Sequence, residues 1–226
     1  MKAVLLSASL GGIVSLLILV GPGGSGEPAA PVWLSPARVA YAESTRALAL
    51  YRVVAERSEA RYLVREQLAG LSFPNDAVGT TSAIEGNLAL DVRGRVLPGD
   101  SRFTVDLRTL QSDQGRRDNY LRRNTLETDR YPHAVFVPTE VRGLPVPLPQ
   151  TGTVSFDLVG DLTIRDASRR VTWVATATIH GQDLSVKART AFRFAEFGLR
   201  IPRVASVLSI EDNIRLEIDL LLRRIP

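Results

Sequence analysis

Side chains able to do chemistry are few in this chain and poorly placed for it. Histidine occurs twice, at His133 beside Pro132 and at His180 in the run His180-Gly181-Gln182-Asp183. Both positions read as exposed turns. The serines and aspartates therefore lack the buried histidine that a nucleophile–base arrangement requires. The absence of cysteine excludes a disulfide, a thiolate metal site, a thiol nucleophile and an acylated lipoprotein cysteine, and two histidines speak against a multi-histidine metal centre. No glycine-rich phosphate loop leads from a strand into a helix. An enzyme is not expected, and no metal. What remains is a charge cluster, Arg116, Arg117, Arg122 and Arg123 around Asp118. Guanidinium groups grip phosphate or carboxylate through paired hydrogen bonds. The cluster reads either as a solvated helix face, with Arg117 and Asp118 bonded locally, or as a cover offering cations to a polar head group.

The elements that must position these residues announce themselves by a two-residue alternation. Val154, Phe156, Leu158, then Leu184, Val186, Ala188, then Ile214, Leu216, Ile218, Leu220, Leu222 each alternate with polar residues. Such a strand has one dry face and one wet face. The same pattern marks Tyr51 to Val54, Ala60 to Val64, Ile84 to Leu90, Phe103 to Leu107, Ala134 to Val141 and Arg170 to Ile179. Ser72 to Thr80, with Pro74, Asn75 and Gly79, is expected to be a loop or a short helical turn. Gly160, inside a long strand, is expected at a bend or bulge. Between Gln111 and Arg130 the alternation stops. Ser112 or Asp113 is expected to cap a short helix there, with Tyr120 and Leu121 on its apolar edge. About eight strands and one long excursion predict a small antiparallel up-and-down β-barrel. Its inward row mixes Trp173 and phenylalanines with Ala60, Gly86, Ala175, Ala177 and Ala188. That mixture suits a solid core as well as a cavity.

Bulk properties set the context. The chain has 226 residues, 45% apolar residues and a net charge of +4, which suits one all-β domain with extra sequence at one end. Arginine far outnumbers lysine, which occurs only as Lys2 and Lys187. Acids and bases mix along the same strand faces, so no nucleic-acid partner is expected. Aromatic residues make up 6%, too few for the two girdles of an outer-membrane barrel. Residues 1–20, with the apolar run Ala3 to Val20 behind Lys2, read as an apolar helix serving as signal peptide or membrane anchor. Residues 21–46 are rich in glycine and proline and read as a tether, and 47–226 as the folded domain. Cleavage at Gly24-x-Gly26 or Ala40-Tyr41-Ala42, or none, leaves the domain outside the cytoplasm, in a periplasm or on the cell surface.

Several segments, taken in order, resemble the YceI-like family. They are Phe103 to Ser112, Arg117 to Leu121, Tyr131 to Phe136, Val159 to Ile164, Val171-Thr172-Trp173, Phe197-Gly198-Leu199 and Ile214 to Ile218. The family's histidine-glycine turn after Leu-Thr-Ile is replaced here by Arg165-Asp166-Ala167-Ser168. The resemblance implies a lipocalin-like antiparallel eight-stranded barrel with one or two short helices, and an apolar tunnel holding a polyisoprenoid or similar lipid. Tunnel lining is then expected from Tyr62, Leu88, Leu90, Phe103, Val105, Phe136 and Phe156. It is expected also from Leu158, Leu162, Trp173, Ala175, Ala177, Phe192 and Phe194. Arg116, Arg117, Asp118, Tyr120 and Leu121 are the expected lid and head-group contacts. The implied partners are a long-chain isoprenoid or other lipid, a quinone included, and the membrane through the amino-terminal helix. No other cofactor is implied, and a homodimer is left open. The alternative from another class is a solid-cored scaffold barrel tethered to a membrane.

Overall fold

The computed structural model describes residues 47–70, 72–203 and 207–225. The apolar segment and the tether expected over residues 1–46 lie outside the described residues. Eleven strands form: β1 Ala47–Val53, β2 Glu59–Leu68, β3 Asn75–Thr81, β4 Ile84–Asp91, β5 Arg102–Asp106, β6 Gln111–Ser112, β7 His133–Arg142, β8 Thr151–Ile164, β9 Ala167–His180, β10 Asp183–Phe192 and β11 Val207–Ile225. Among the described residues a single α-helix, α1 Gly115–Tyr120, continues into a π-type turn at Leu121–Thr125.

Six of these strands join end to end into longer staves. β1 runs into β2 through Ala55–Arg57, β3 into β4 through Ser82 and Ala83, and β5 into β6 through Leu107–Thr109. The joint between β1 and β2 is stapled to β11 by a buried serine. Ser58 Oγ donates to the Val54 carbonyl at 2.8 Å and accepts the Leu221 N–H at 3.1 Å. The order β1-β4-β5-β7-β8-β9-β10-β11 closes on itself, since β11 also pairs with β1. The result is an eight-stave antiparallel barrel. β2, β3 and β6 lengthen three staves at one end.

The alternation seen in the sequence sorts residues to the two sides of this wall. On β9, Trp173, Ala175, Ala177 and Ile179 are buried, while the residues between them are wetter. Outside, charged residues pair across strands: Arg61 with Glu217 and Asp219, Lys187 with Asp219 at 2.7 Å, Arg215 with Asp76 at 2.7 Å and Arg223 with Asp183 at 2.9 Å. That outer surface suits water, not lipid tails.

Two local expectations are corrected, and a third is narrowed. Asn75–Thr81 is a strand, not a loop or helical turn. Gly79 serves not to turn the chain but to admit the Tyr62 ring, which lies across it in register; a Cβ on Gly79 would collide with that ring. The helix cap is not Ser112 or Asp113 but Gln114, without a side-chain bond, because the Ser112 hydroxyl is engaged by Asp118 at 2.6 Å. The Arg165–Ser168 stretch is a two-residue hairpin turn at Arg165 and Asp166, with Arg165 in the left-handed region at φ 57°. Gly160 stands at the expected irregularity: the β7–β8 register shifts between Pro138 and Glu140, opposite Gly160.

The up-and-down order gives the barrel two distinct ends. One carries the β2–β3 hairpin, α1, the β8–β9 turn and the β10–β11 connection. The other carries the turns at 92–101, 143–150 and 181–182.

Candidate ligand cavity

The barrel is hollow. Its cavity measures about 660 Å³, within the range of roughly 300–1,000 Å³ typical of small-molecule pockets. The hollow follows from cross-strand neighbours of unequal size. Phe156 on β8 faces Ala175 on β9, which faces Ala188 on β10, and one row lower Ala177 sits between Val154 and Val186. A bulky residue flanked by alanines leaves space that an even row of leucines would fill.

The wall contains every inward position expected for the tunnel. Leu88 and Leu90 come from β4, Phe103 and Val105 from β5, Phe136 from β7, and Phe156, Leu158 and Leu162 from β8. Trp173, Ala175 and Ala177 follow from β9, with Phe192, Phe194 and Tyr62 completing the circuit. Phe136 meets Trp173 edge to face, with centroids 6.0 Å apart. Leu144 and Leu148, from the β7–β8 connection, line the end away from α1. Along β8 the lining runs from Val154 to Ile164, about 30 Å of strand at roughly 3.3 Å per residue. The shape is long and narrow.

Most polar groups of the wall gather at the α1 end. Glu66, Gln114, Arg116 and Arg117 enter the wall there, with Tyr62 and Tyr120. Glu66 is buried and bound to Arg117 at 2.7 Å, and Arg117 also holds Asp113 at 2.7 Å. Burial works against the Arg117 cation. Glu66 and Asp113 more than offset it, so its pKa lies above the ordinary arginine range. Burial likewise pushes the Tyr62 hydroxyl up to about 12, with Arg117 pulling the other way and the neighbouring carboxylates adding to the rise. Among the described residues the Tyr62 hydroxyl and the Trp173 indole N–H are buried without a hydrogen-bond partner.

A sequence profile described as the YceI-like domain matches residues 51–222. The chain belongs to the YceI-like family. A curated relative, a UPF0312 protein of Pseudomonas putida strain F1, is 31% identical over 137 residues. That match covers 57% of this chain and 66% of the relative, slightly under two thirds of its length. A UPF0312 protein of Pseudomonas fluorescens strain SBW25 is 28% identical over the same shares. Among solved structures, a polyisoprenoid-binding domain from Saccharophagus degradans superposes with a TM-score of 0.62 at 12% identity, covering 77% of this chain and 98% of that one. Burkholderia cenocepacia BcnA superposes with a TM-score of 0.55 at 15% identity, covering 75% and 98%.

Within this YceI-like barrel the excursion residues divide. Arg116, Arg117, Tyr120 and Leu121 reach the cavity wall. Asp118 does not line it. Its carboxylate turns back to accept the Ser112 N–H and hydroxyl, so Arg117 and Asp118 do not form the local pair expected of a solvated helix face. Arg122 donates to the Leu110 carbonyl at 3.0 Å, and Arg123 is exposed. Glu66 was not among the residues expected from sequence, although it shares the parity of Tyr62 and Val64 on β2. That parity places a carboxylate on the dry face, the signal that would have found it.

Proposed function

We propose that this barrel holds the hydrocarbon chain of a polyisoprenoid-type or other long-chain lipid, with the polar end of the lipid beneath α1. One observation carries the reading: a long apolar cavity whose ionic and hydroxyl groups cluster towards one end. The Saccharophagus degradans neighbour, described as polyisoprenoid-binding, supports it.

The energetics fit carriage. Each methylene moved from water into the cavity gains roughly 0.8 kcal/mol, so a long chain is held with few polar contacts. Moved from a bilayer, the same chain is already dry and gains far less. Exchange with membranes is then open in both directions, and the head group sets selectivity. Tyr62 and Trp173 supply hydrogen-bond donors to an acceptor on the ligand. An unpaired buried donor costs roughly 1–3 kcal/mol, which a ligand carbonyl or hydroxyl oxygen relieves.

Mass spectrometry of an organic extract of the purified protein tests the proposal. A stoichiometric long-chain lipid is expected. A lipid-free protein that also takes up no isoprenoid probe would return the barrel to the scaffold alternative. We place the domain outside the cytoplasm on the strength of the apolar run Ala3 to Val20 and the glycine-proline stretch after it. Protease added to intact spheroplasts should digest the domain, and full protection would oppose that placement.

A further inference from the structure

The α1 end of the barrel carries a rim of exposed apolar side chains. Phe73, in the β2–β3 hairpin, is 80% exposed, Leu208 68% and Ile201 40%. Leu208 lies in the register shift at the start of the β11–β2 pairing, between Val207 opposite Leu68 and Ser209 opposite Gln67. Ile201 and Leu208 share a shallow hollow with Pro202, Val207 and Ile210. Those last three residues, with Leu68, also belong to the wall of the main cavity. The Ile201–Leu208 part of the rim thus continues into the cavity interior through shared apolar residues. Isolated exposed apolar residues are ordinary, but a contiguous set opening into an apolar cavity marks an interaction site.

We infer that this rim docks the mouth of the barrel onto a phospholipid bilayer, with Phe73, Ile201 and Leu208 entering the acyl region. The inference takes its purpose from the lipid-carrier reading and adds the surface through which cargo passes. Continuity selects the occupant: a chain leaving the bilayer beside Leu208 meets a mainly apolar surface, with Arg203 and Ser209 at its edge, on its way past Val207 and Ile210. Arg116, Arg200 and Arg203 stand exposed at the same end and make no ion pair among the described residues. Their guanidinium groups are suited to lipid phosphates. Of the neighbouring carboxylates, Glu196 and Asp212 accept the N–H groups of Arg193 and Phe194, and Glu211 is exposed.

Two measurements on the full chain test this. A tryptophan probe is placed by Phe73→Trp, and by Val92→Trp at the opposite end of the barrel, where Val92 is 49% exposed. Each is mixed with vesicles of phosphatidylcholine, with and without phosphatidylglycerol, carrying bromine-labelled acyl chains. Quenching beyond that of the parent protein is expected for Phe73→Trp and not for Val92→Trp. Equal quenching at both ends, or none at either, overturns docking through the rim. The triple variant Phe73→Ser, Ile201→Ser, Leu208→Ser should then slow uptake of a fluorescent isoprenoid from vesicles about tenfold, while uptake of the same probe from cyclodextrin is unchanged. Unaltered uptake from vesicles counts against docking. Loss of uptake by both routes in the parent, with quenching at Phe73→Trp intact, defeats the carrier reading and leaves the docking surface standing.

Discussion

Glu127 and Arg165, the two non-glycine residues in the left-handed backbone region among the described residues, are bound to each other. Their φ angles are 51° and 57°, and Glu127 Oε1 meets the Arg165 guanidinium at 2.6 Å. Arg165 also donates to the Thr125 carbonyl at 3.2 Å and lies over the Tyr131 ring. The end of the excursion that begins with α1 is thereby tied to the β8–β9 turn. Left-handed backbone is costly for residues with a Cβ, and here the two costs fall on partners that hold the cover of the cavity in place.

Arg165→Gly separates the turn from the tie. Glycine relieves the left-handed strain, while the ion pair, partly exposed on both sides, contributes no more than about 1 kcal/mol. Global stability in denaturant should therefore change by less than about 1 kcal/mol. Amide exchange at Leu121–Thr128 should nevertheless speed up strongly. Unaltered exchange there would mean that the ion pair does not restrain the cover.

Arg117 is the arginine of its cluster that pairs with a buried carboxylate, Glu66. Removing it leaves Glu66 buried without a partner, and breaking a pair of this kind costs about 3 kcal/mol or more. Arg117→Met should lower stability by that order. The double variant Glu66→Gln with Arg117→Met should recover most of the loss. If the single and double variants melt alike, the pair carries no such weight. Arg116→Gln and Arg123→Gln, at exposed positions, should leave the melt unchanged.

Tyr62 should ionise late. Its folded pKa of about 12 exceeds the ordinary tyrosine value of 10.0. Between those values the unfolded chain has released a proton that the folded chain keeps. The folded state binds more protons there, so its stability falls as pH rises from about 10 towards 12. Tyr62→Phe should flatten this alkaline limb, read as denaturation midpoint against pH. A limb of equal steepness in both proteins would assign it to other groups.

Ala177→Trp tests whether the hollow is used. In a solid core such an insertion overpacks and destabilises by roughly 1–3 kcal/mol. In a cavity of about 660 Å³ the indole has somewhere to go. The variant should melt cooperatively near the parent while isoprenoid uptake drops at least tenfold. A steep fall in stability with uptake preserved would contradict the cavity as the binding site.

The barrel wall was legible because burial on one side of a sheet writes itself directly as alternation. Phe156, Trp173 and Phe192 needed no tertiary information to be placed inward. The hollow was not legible, since Ala175 and Ala177 could equally have interdigitated with large neighbours, and only the cross-strand register shows that they do not. Gly79 misled because glycine marks turns and close approaches alike, and here the Tyr62 ring decided. The Glu66–Arg117 pair was hidden for another reason. Its partners sit on a strand and a helix far apart in sequence, and nothing local to either announces the other.

β11 closes the ring by pairing with β10 along one edge and with β2 and β1 in succession along the other. It is also the last stave to leave the ribosome, whereas β1, which must receive it, is the first. Until then a nascent chain presents two open sheet edges, templates for mispairing with other chains. Such long-range pairing is slow. The finished barrel has no free edge at this seam, so the hazard is confined to the interval before closure.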